Sequence, residues 1–175
     1  MLTPSLMRRG AYALPRQSQR GVMIIEALVA IMLLMLGIMG IAGLTTKSTA
    51  LTGQAQYRTE AGMFAEQIIQ SISLSVDRSS DSKLATSLKG FEHQPTESEA
   101  CSFAGSAMPE DSAPAQILKA ARNGVTGVAG LPGAEGAGQQ VVVDTDNNNQ
   151  VTVTLCWQGP NDDGPRTYQI QAFVH

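Results

Sequence analysis

Residues 20–26 read Arg20-Gly21-Val22-Met23-Ile24-Ile25-Glu26, and the run continues Ala27-Leu28-Val29-Ala30-Ile31-Met32-Leu33-Leu34-Met35-Leu36-Gly37-Ile38-Met39-Gly40-Ile41-Ala42-Gly43-Leu44. Between Val22 and Leu44 the only charged side chain is Glu26. As α-helix at about 1.5 Å per residue these 23 residues span roughly 35 Å, enough to cross a bilayer. A secretory signal has a shorter apolar region, about 7–15 residues, ending at a small-residue cleavage site. No lipobox cysteine follows this one. Length alone therefore predicts a plain transmembrane anchor. Glu26 speaks against so plain a reading. A carboxylate deep in an apolar run costs a few kcal/mol, so it normally has a partner and a function.

Charge divides the chain in the same place. The 21 residues before Val22 hold Arg8, Arg9, Arg16 and Arg20 and no acid. Without them the chain keeps eight Lys and Arg against 15 Asp and Glu, a formal −7 in place of −3. The basic start reads as a targeting signal whose positive residues stay on the cytoplasmic side. An acidic body argues against nucleic-acid binding, which needs clustered Lys and Arg to displace counterions. The full 175 residues fit one compact domain plus an appendage. Downstream of residue 44 the chain is polar, rich in Gly, Ser and Asn, and can bury only a modest core.

The stretch around Gly21 resembles the processing site of the type IV prepilin family, which includes type IV pilins, minor pilins and type II secretion pseudopilins. Basic leader, Gly21, four apolar residues from Val22 to Ile25, Glu26, and then about twenty apolar residues all coincide with that pattern. The resemblance implies cleavage between Gly21 and Val22 on the cytoplasmic face by prepilin peptidase, and N-methylation of Val22 by the same enzyme. It implies the pilin fold: an α+β chain with one long N-terminal helix, transmembrane in its first half, packed on a C-terminal antiparallel sheet. Val22 stands where the family usually has Phe or Met, and the leader is long, so either Met1 or Met7 can be its start. Pilins often carry a proline in the apolar stretch, and this chain has none there.

The family role of Glu26 has a clear physical basis. Cleavage exposes an α-amino group with a reference pKa near 8, charged near neutral pH. In an apolar filament core that cation and a neighbouring subunit's carboxylate each lower the other's burial cost, and the pair sets axial register. Gly37, Gly40 and Gly43 recur every third residue. They either let helices approach closely or weaken the helix locally.

The rest of the chain supplies the body. Residues 45–76 contain no proline, and Ala61, Ala65, Ile68, Ile72 and Val76 recur in steps of three and four, the stripe of an amphipathic helix. Residues 22–76 then form one helix of roughly 80 Å, apolar all round at first and on one face later. Residues 77–111 read as an extended connection with at most a short helical turn, acidic at Glu92, Glu97 and Glu99. Within the connecting region, residues 77–138, a short helix is expected near 113–123, with Ser112 as cap, Pro114 in its first turn and Gly124 at its end. Residues 130–138 form a Gly-rich turn. The sheet occupies 139–175, with strands at 139–143, 150–157 and 166–174 joined by turns at 144–149 and 159–165. Leu131-Pro132-Gly133 followed by Val151-Thr152-Val153-Thr154-Leu155-Cys156-Trp157 resembles the PilV class of minor pilins, the type IV pilus modification proteins.

Chemistry has little to work with. His93 and His175 are the only histidines, and no HExxH, nucleophile elbow or Cys–His arrangement exists. The order of Gly133, Gly136 and Gly138 is not the dinucleotide fingerprint. Asp144, Asp146 and Asn148 have the first spacings of a calcium loop, but Asn149 and Leu155 stand where an EF-hand needs Gly and Glu. A hairpin turn is the preferred reading; a calcium ion near Asp144 stays open, since some pseudopilins bind one in a C-terminal loop. No enzyme, resident metal or cofactor is expected. Cys101 and Cys156 form no CxxC pair, and outside the cytoplasm a disulfide is their simplest use. Along the second strand Val151, Val153, Leu155 and Trp157 share one face, which leaves Cys156 on the other. The segment carrying Cys101 must then cross the sheet's outer face.

The expected function is that of a minor pilin in the bacterial inner membrane, with a periplasmic C-terminal domain, that joins the initiating complex at a pilus tip. Its partners would be prepilin peptidase, other minor pilins, the major pilin, the inner-membrane assembly platform and a tip adhesin. A major pilin and a type II secretion pseudopilin are alternatives of the same class. An uncleaved single-span envelope protein with a periplasmic binding domain is the alternative of another class. The processing site gives a direct test: Gly21→Leu should abolish maturation in cells carrying prepilin peptidase, seen by mass spectrometry as an intact leader. Normal maturation of that variant would sink the assignment.

Overall fold

The computed structural model describes residues 22–175, so the leader and Gly21 lie outside the described residues. The chain divides into two units, one ending at Thr46 and one comprising Lys47–His175. Helix α1, Val22–Ser75, contributes to both and runs 54 residues without a proline.

In the first unit the described residues, 22–46, are helix throughout. The large apolar side chains from Met23 to Leu44 are all at least half exposed. A helix apolar on every side finds its favourable surroundings in lipid or among other helices. By length and composition this one can cross a membrane.

In the second unit the apolar stripe of α1 decides the packing. Ala61, Ala65, Ile68 and Ile72 are completely buried, and Val76 just beyond the helix is nearly so. They pack on a three-stranded antiparallel sheet of order β3-β4-β5: Gln139–Asp144, Gln150–Trp157 and Arg166–Phe173. Pairing sets Val141 opposite Val153 and Val153 opposite Ile170. Successive strand side chains alternate between faces, so Val141, Val143, Val151, Val153, Leu155 and Trp157 share the inner face. All six join the core formed with α1. Small residues allow the close approach. A Cβ added at Gly62 would stand 3.3 Å from the Tyr168 ring of β5.

The segment between α1 and the sheet is more ordered than its polarity suggests. Residues 77–111 are not an extended connection: they contain helix α2, Asp81–Lys89, and a hairpin of β1, Thr96–Glu99, with β2, Ser102–Ala104. Ser80 caps α2 by accepting from Lys83 N–H, while Leu84 and Leu88, one turn apart, are buried. Nine residues with only two core contacts give too weak a period to stand out in a Ser- and Asp-rich stretch. Helix α3, Ala113–Asn123, starts where Ser112 accepts from Ala115 N–H. It ends at Gly124, whose φ of +73° suits glycine and where a Cβ would lie 2.5 Å from Val128 O.

Cys101 and Cys156 are disulfide-bonded, with Cα atoms 5.8 Å apart. Cys156 pairs with Thr167, and the Thr167 hydroxyl lies 3.2 Å from Cys101 Sγ, so the bond sits on the sheet face away from α1. Cys101 occupies the β1–β2 turn at φ +62°. The hairpin is thus pinned to the outer face. The bridge closes a span of 55 residues, and chain entropy puts its contribution at up to about 4 kcal/mol. The Cys101→Ser, Cys156→Ser double variant should therefore unfold at markedly lower denaturant than the oxidised chain. Equal midpoints would mean that the hairpin is held by packing alone.

Candidate functional site

The residues singled out by sequence fall into separate places. Gly21 lies outside the described residues. Val22 opens α1, and Glu26 follows it by four residues, a little more than one helical turn. The Glu26 side chain is exposed, flanked by the exposed Met23, Ile25 and Val29. No Lys, Arg or His among the described residues lies within ion-pair distance of it. Gly37, Gly40 and Gly43 have open space where a Cβ would stand, so this length of helix offers a smooth, unoccupied surface. The site is accordingly one carboxylate on an apolar rod. It can pair with a cation brought by another molecule.

Asp144, at the head of the calcium-like spacing, organises the turn. Asp144 Oδ1 accepts from the backbone N–H of Asp146 at 3.0 Å and of Asn147 at 3.1 Å. Asn148 and Asn149 then take φ near +55°, which asparagine tolerates better than most residues. Among the described residues no group of three or more His, Cys, Asp or Glu could hold a metal.

Two polar features of the body escaped the sequence reading. Asp162, in the β4–β5 loop, has a nearly buried side chain and ties that loop to α1. Its carboxylate accepts from Arg166 Nη2 at 2.9 Å, Gln54 Nε2 at 2.9 Å and Gly159 N–H at 3.0 Å. The Arg166 hydrogen bond, helped by the others, holds its pKa below the usual carboxylate value. An acid and an arginine four apart in a Pro- and Gly-containing loop carry no periodic signal, and Gln54 is 108 residues away.

The second feature is His93. Its backbone bridges β3: His93 N–H donates to Val141 O at 3.0 Å, and Val141 N–H donates to His93 O at 2.8 Å. Its ring lines a cleft of about 570 Å³ together with Met108, Glu110, Lys119, Arg122 and Gln139. Nδ1 is buried without a hydrogen-bond partner. Burial, with a smaller contribution from the Arg122 charge, lowers its pKa below the ordinary 6.5. The unfolded chain therefore binds a proton at His93 more readily than the native one. Stability linked to this ring is complete above the unfolded pKa and is lost as pH falls below it. Acidification from about pH 7.5 to 5.5 should destabilise the native chain, and His93→Gln should remove a measurable part of that loss. Superimposable pH profiles of the two chains in denaturant melts would show that His93 titrates alike in both states.

No family model, no curated protein and no solved structure matches this chain.

Proposed function

We propose that this chain is a minor type IV pilin of the PilV class. In this reading prepilin peptidase cuts between Gly21 and Val22 and methylates the new terminus. The apolar start of α1 holds the protein in the inner membrane with its body in the periplasm, and the chain then enters the initiating complex at the pilus tip. Its partners would be other minor pilins, the major pilin, the assembly platform and a tip adhesin.

One observation carries the reading. Glu26 is the single charge on an apolar helix whose side chains are exposed all round, and it stands at the fifth position after a basic leader ending in glycine. A rod of exposed apolar side chains is covered only by lipid or by other helices. A lone carboxylate on it is tolerated in an apolar assembly when a cation meets it. The free N-terminus of a processed neighbouring subunit supplies such a cation at the start of the same kind of helix. The α+β body, one long helix on an antiparallel sheet of three strands, is of the kind the pilin family presents beyond its membrane segment. The run from Leu131 to Trp157 favours the minor pilin over the major pilin and the pseudopilin.

The test separates processing from assembly. In Glu26→Ala the mature chain should still begin with N-methylated Val22 by mass spectrometry. Its recovery in sheared pili should fall at least tenfold. Incorporation at the native level would remove the register role, and failure of cleavage would make Glu26 a recognition residue for the peptidase. An intact leader in the native protein would favour the single-span envelope protein.

A further inference from the structure

The sheet has two edges, and the chain treats them differently. Beyond β3 the 91–95 segment closes the edge through the paired His93 and Val141 backbone bonds, and Gln140 Nε2 donates to Gln94 O at 3.2 Å. The inner-face residues of β3 are accordingly sealed: Gln139 is 2% exposed and Val141 0%. Beyond β5 no strand follows among the described residues. Tyr168, Ile170 and Ala172 on its inner face stay half-buried, although their cross-strand partners Leu155, Val153 and Val151 are all completely buried. That step in burial from one strand to the next is what a sheet shows when its last strand lacks a neighbour.

The open edge is also unguarded. β5 is eight residues long and contains no proline, glycine, lysine or acid; Arg166 at its start is its one charge. Every second residue of an antiparallel edge strand turns its N–H and C=O away from the ladder. Proteins usually blunt such a row with lysine, proline, a bulge or a covering segment. Among the described residues the chain uses a covering segment at β3 and none of these devices along β5.

The geometry points to β5 as an acceptor edge for an extended segment of another polypeptide, which enters the sheet as a fourth strand. A row of alternating backbone donors and acceptors selects an extended backbone over a helix or a lipid tail. The pleat fixes the rest of the recognition. The incoming segment is apolar at every second position, where it flanks Tyr168 and Ile170. It is polar and uncharged between, where it flanks Thr167, Gln169 and Gln171. A second copy of this chain is the poorer occupant. Antiparallel pairing of β5 with β5 that keeps both inner faces on one side uses a two-fold axis normal to the sheet. That axis reverses every direction in the sheet plane, including that of the α1 turns packed along it. The Lys47 ends of the two bodies would then point in opposite directions, whereas copies held in one membrane present those ends to the same side. The inference goes beyond the pilin reading and takes from it only that shared membrane.

The experiment uses the full-length chain in detergent micelles, probed with a displayed library of random ten-residue segments. Enriched segments should alternate apolar and uncharged polar residues and lack proline. A synthetic copy of the best segment is then N-methylated at odd or at even positions. One set should weaken binding at least tenfold and the other should leave it unchanged, because only one side of the added strand faces β5. Binding of the unmodified peptide should slow amide exchange in β5. Ala172→Lys places an inward lysine stem over the open edge and should weaken binding at least tenfold while the Cys101–Cys156 bond still forms. Should that variant misfold, the methylation pattern on the native chain decides. Absence of any binder, binders without a period of two, or equal binding by both methylated sets would overturn the proposal. So would efficient Gln169→Cys self-crosslinking between full-length chains through β5, which would assign the edge to a second copy.

Discussion

Everything in the body rests on one contact, the seating of the Ala61, Ala65, Ile68 and Ile72 stripe of α1 on the inner face of the sheet. Burying each large aliphatic side chain is worth about 1.5–3 kcal/mol, and neither element can do it alone. A three-stranded sheet with one apolar face and a helix with one apolar stripe are each half of a core. The two alanines are completely buried in the same core as Val153 and Leu155, and small side chains are what let a helix lie close against a sheet. Gly62 extends that close contact to Tyr168 on the edge strand. The stripe then fixes which sheet face is inside, and with it the place of every polar residue on the strands.

Once the inner face is committed, the outer face and the two edges become the variable parts. The β1–β2 hairpin is tied across the outer face by a covalent bond, a suitable device where few large apolar residues are available. One edge is closed by the backbone around His93, and the ring of that residue is drawn into a cleft where burial disfavours its charge. The β4–β5 loop is fastened by a buried carboxylate that collects three donors, two from its own loop and the adjoining start of β5, and one from α1. Among the described residues the β5 edge is the exception, with neither cover nor guard. A fold that closes one edge with its own backbone and leaves the other bare has an asymmetry that its own packing does not require.

In the first unit the governing quantity is different. Among its described residues no side chain from Met23 to Thr45 is buried. One carboxylate in that setting is the feature that discriminates among environments. A bilayer core and a bare helical bundle both penalise it, while an assembly that delivers a cation at the same depth does not.

Sequence by itself determined whatever is written locally. The apolar run with its one acid needs only a count of residues. The helical stripe from Ala61 to Val76 follows from a period of 3.6, and the three C-terminal strands from a period of two bounded by turn residues; β3 differs by taking in Asp144 and β5 by ending at Phe173, one residue before the expected Val174. Placement of Cys156 away from α1 followed from alternation along β4. Tertiary structure decided what depends on residues distant in the chain. Helix α2 is held by Leu84 and Leu88, two side chains in a polar stretch, and shows itself only where a core exists to receive them. The role of Asp162 depends on Gln54, 108 residues earlier, and the closure of one sheet edge depends on His93 meeting Val141. Local propensity fixes which elements form. Which edge is covered and which is left open follows from where the chain returns in space, and no pattern within a window of residues records that.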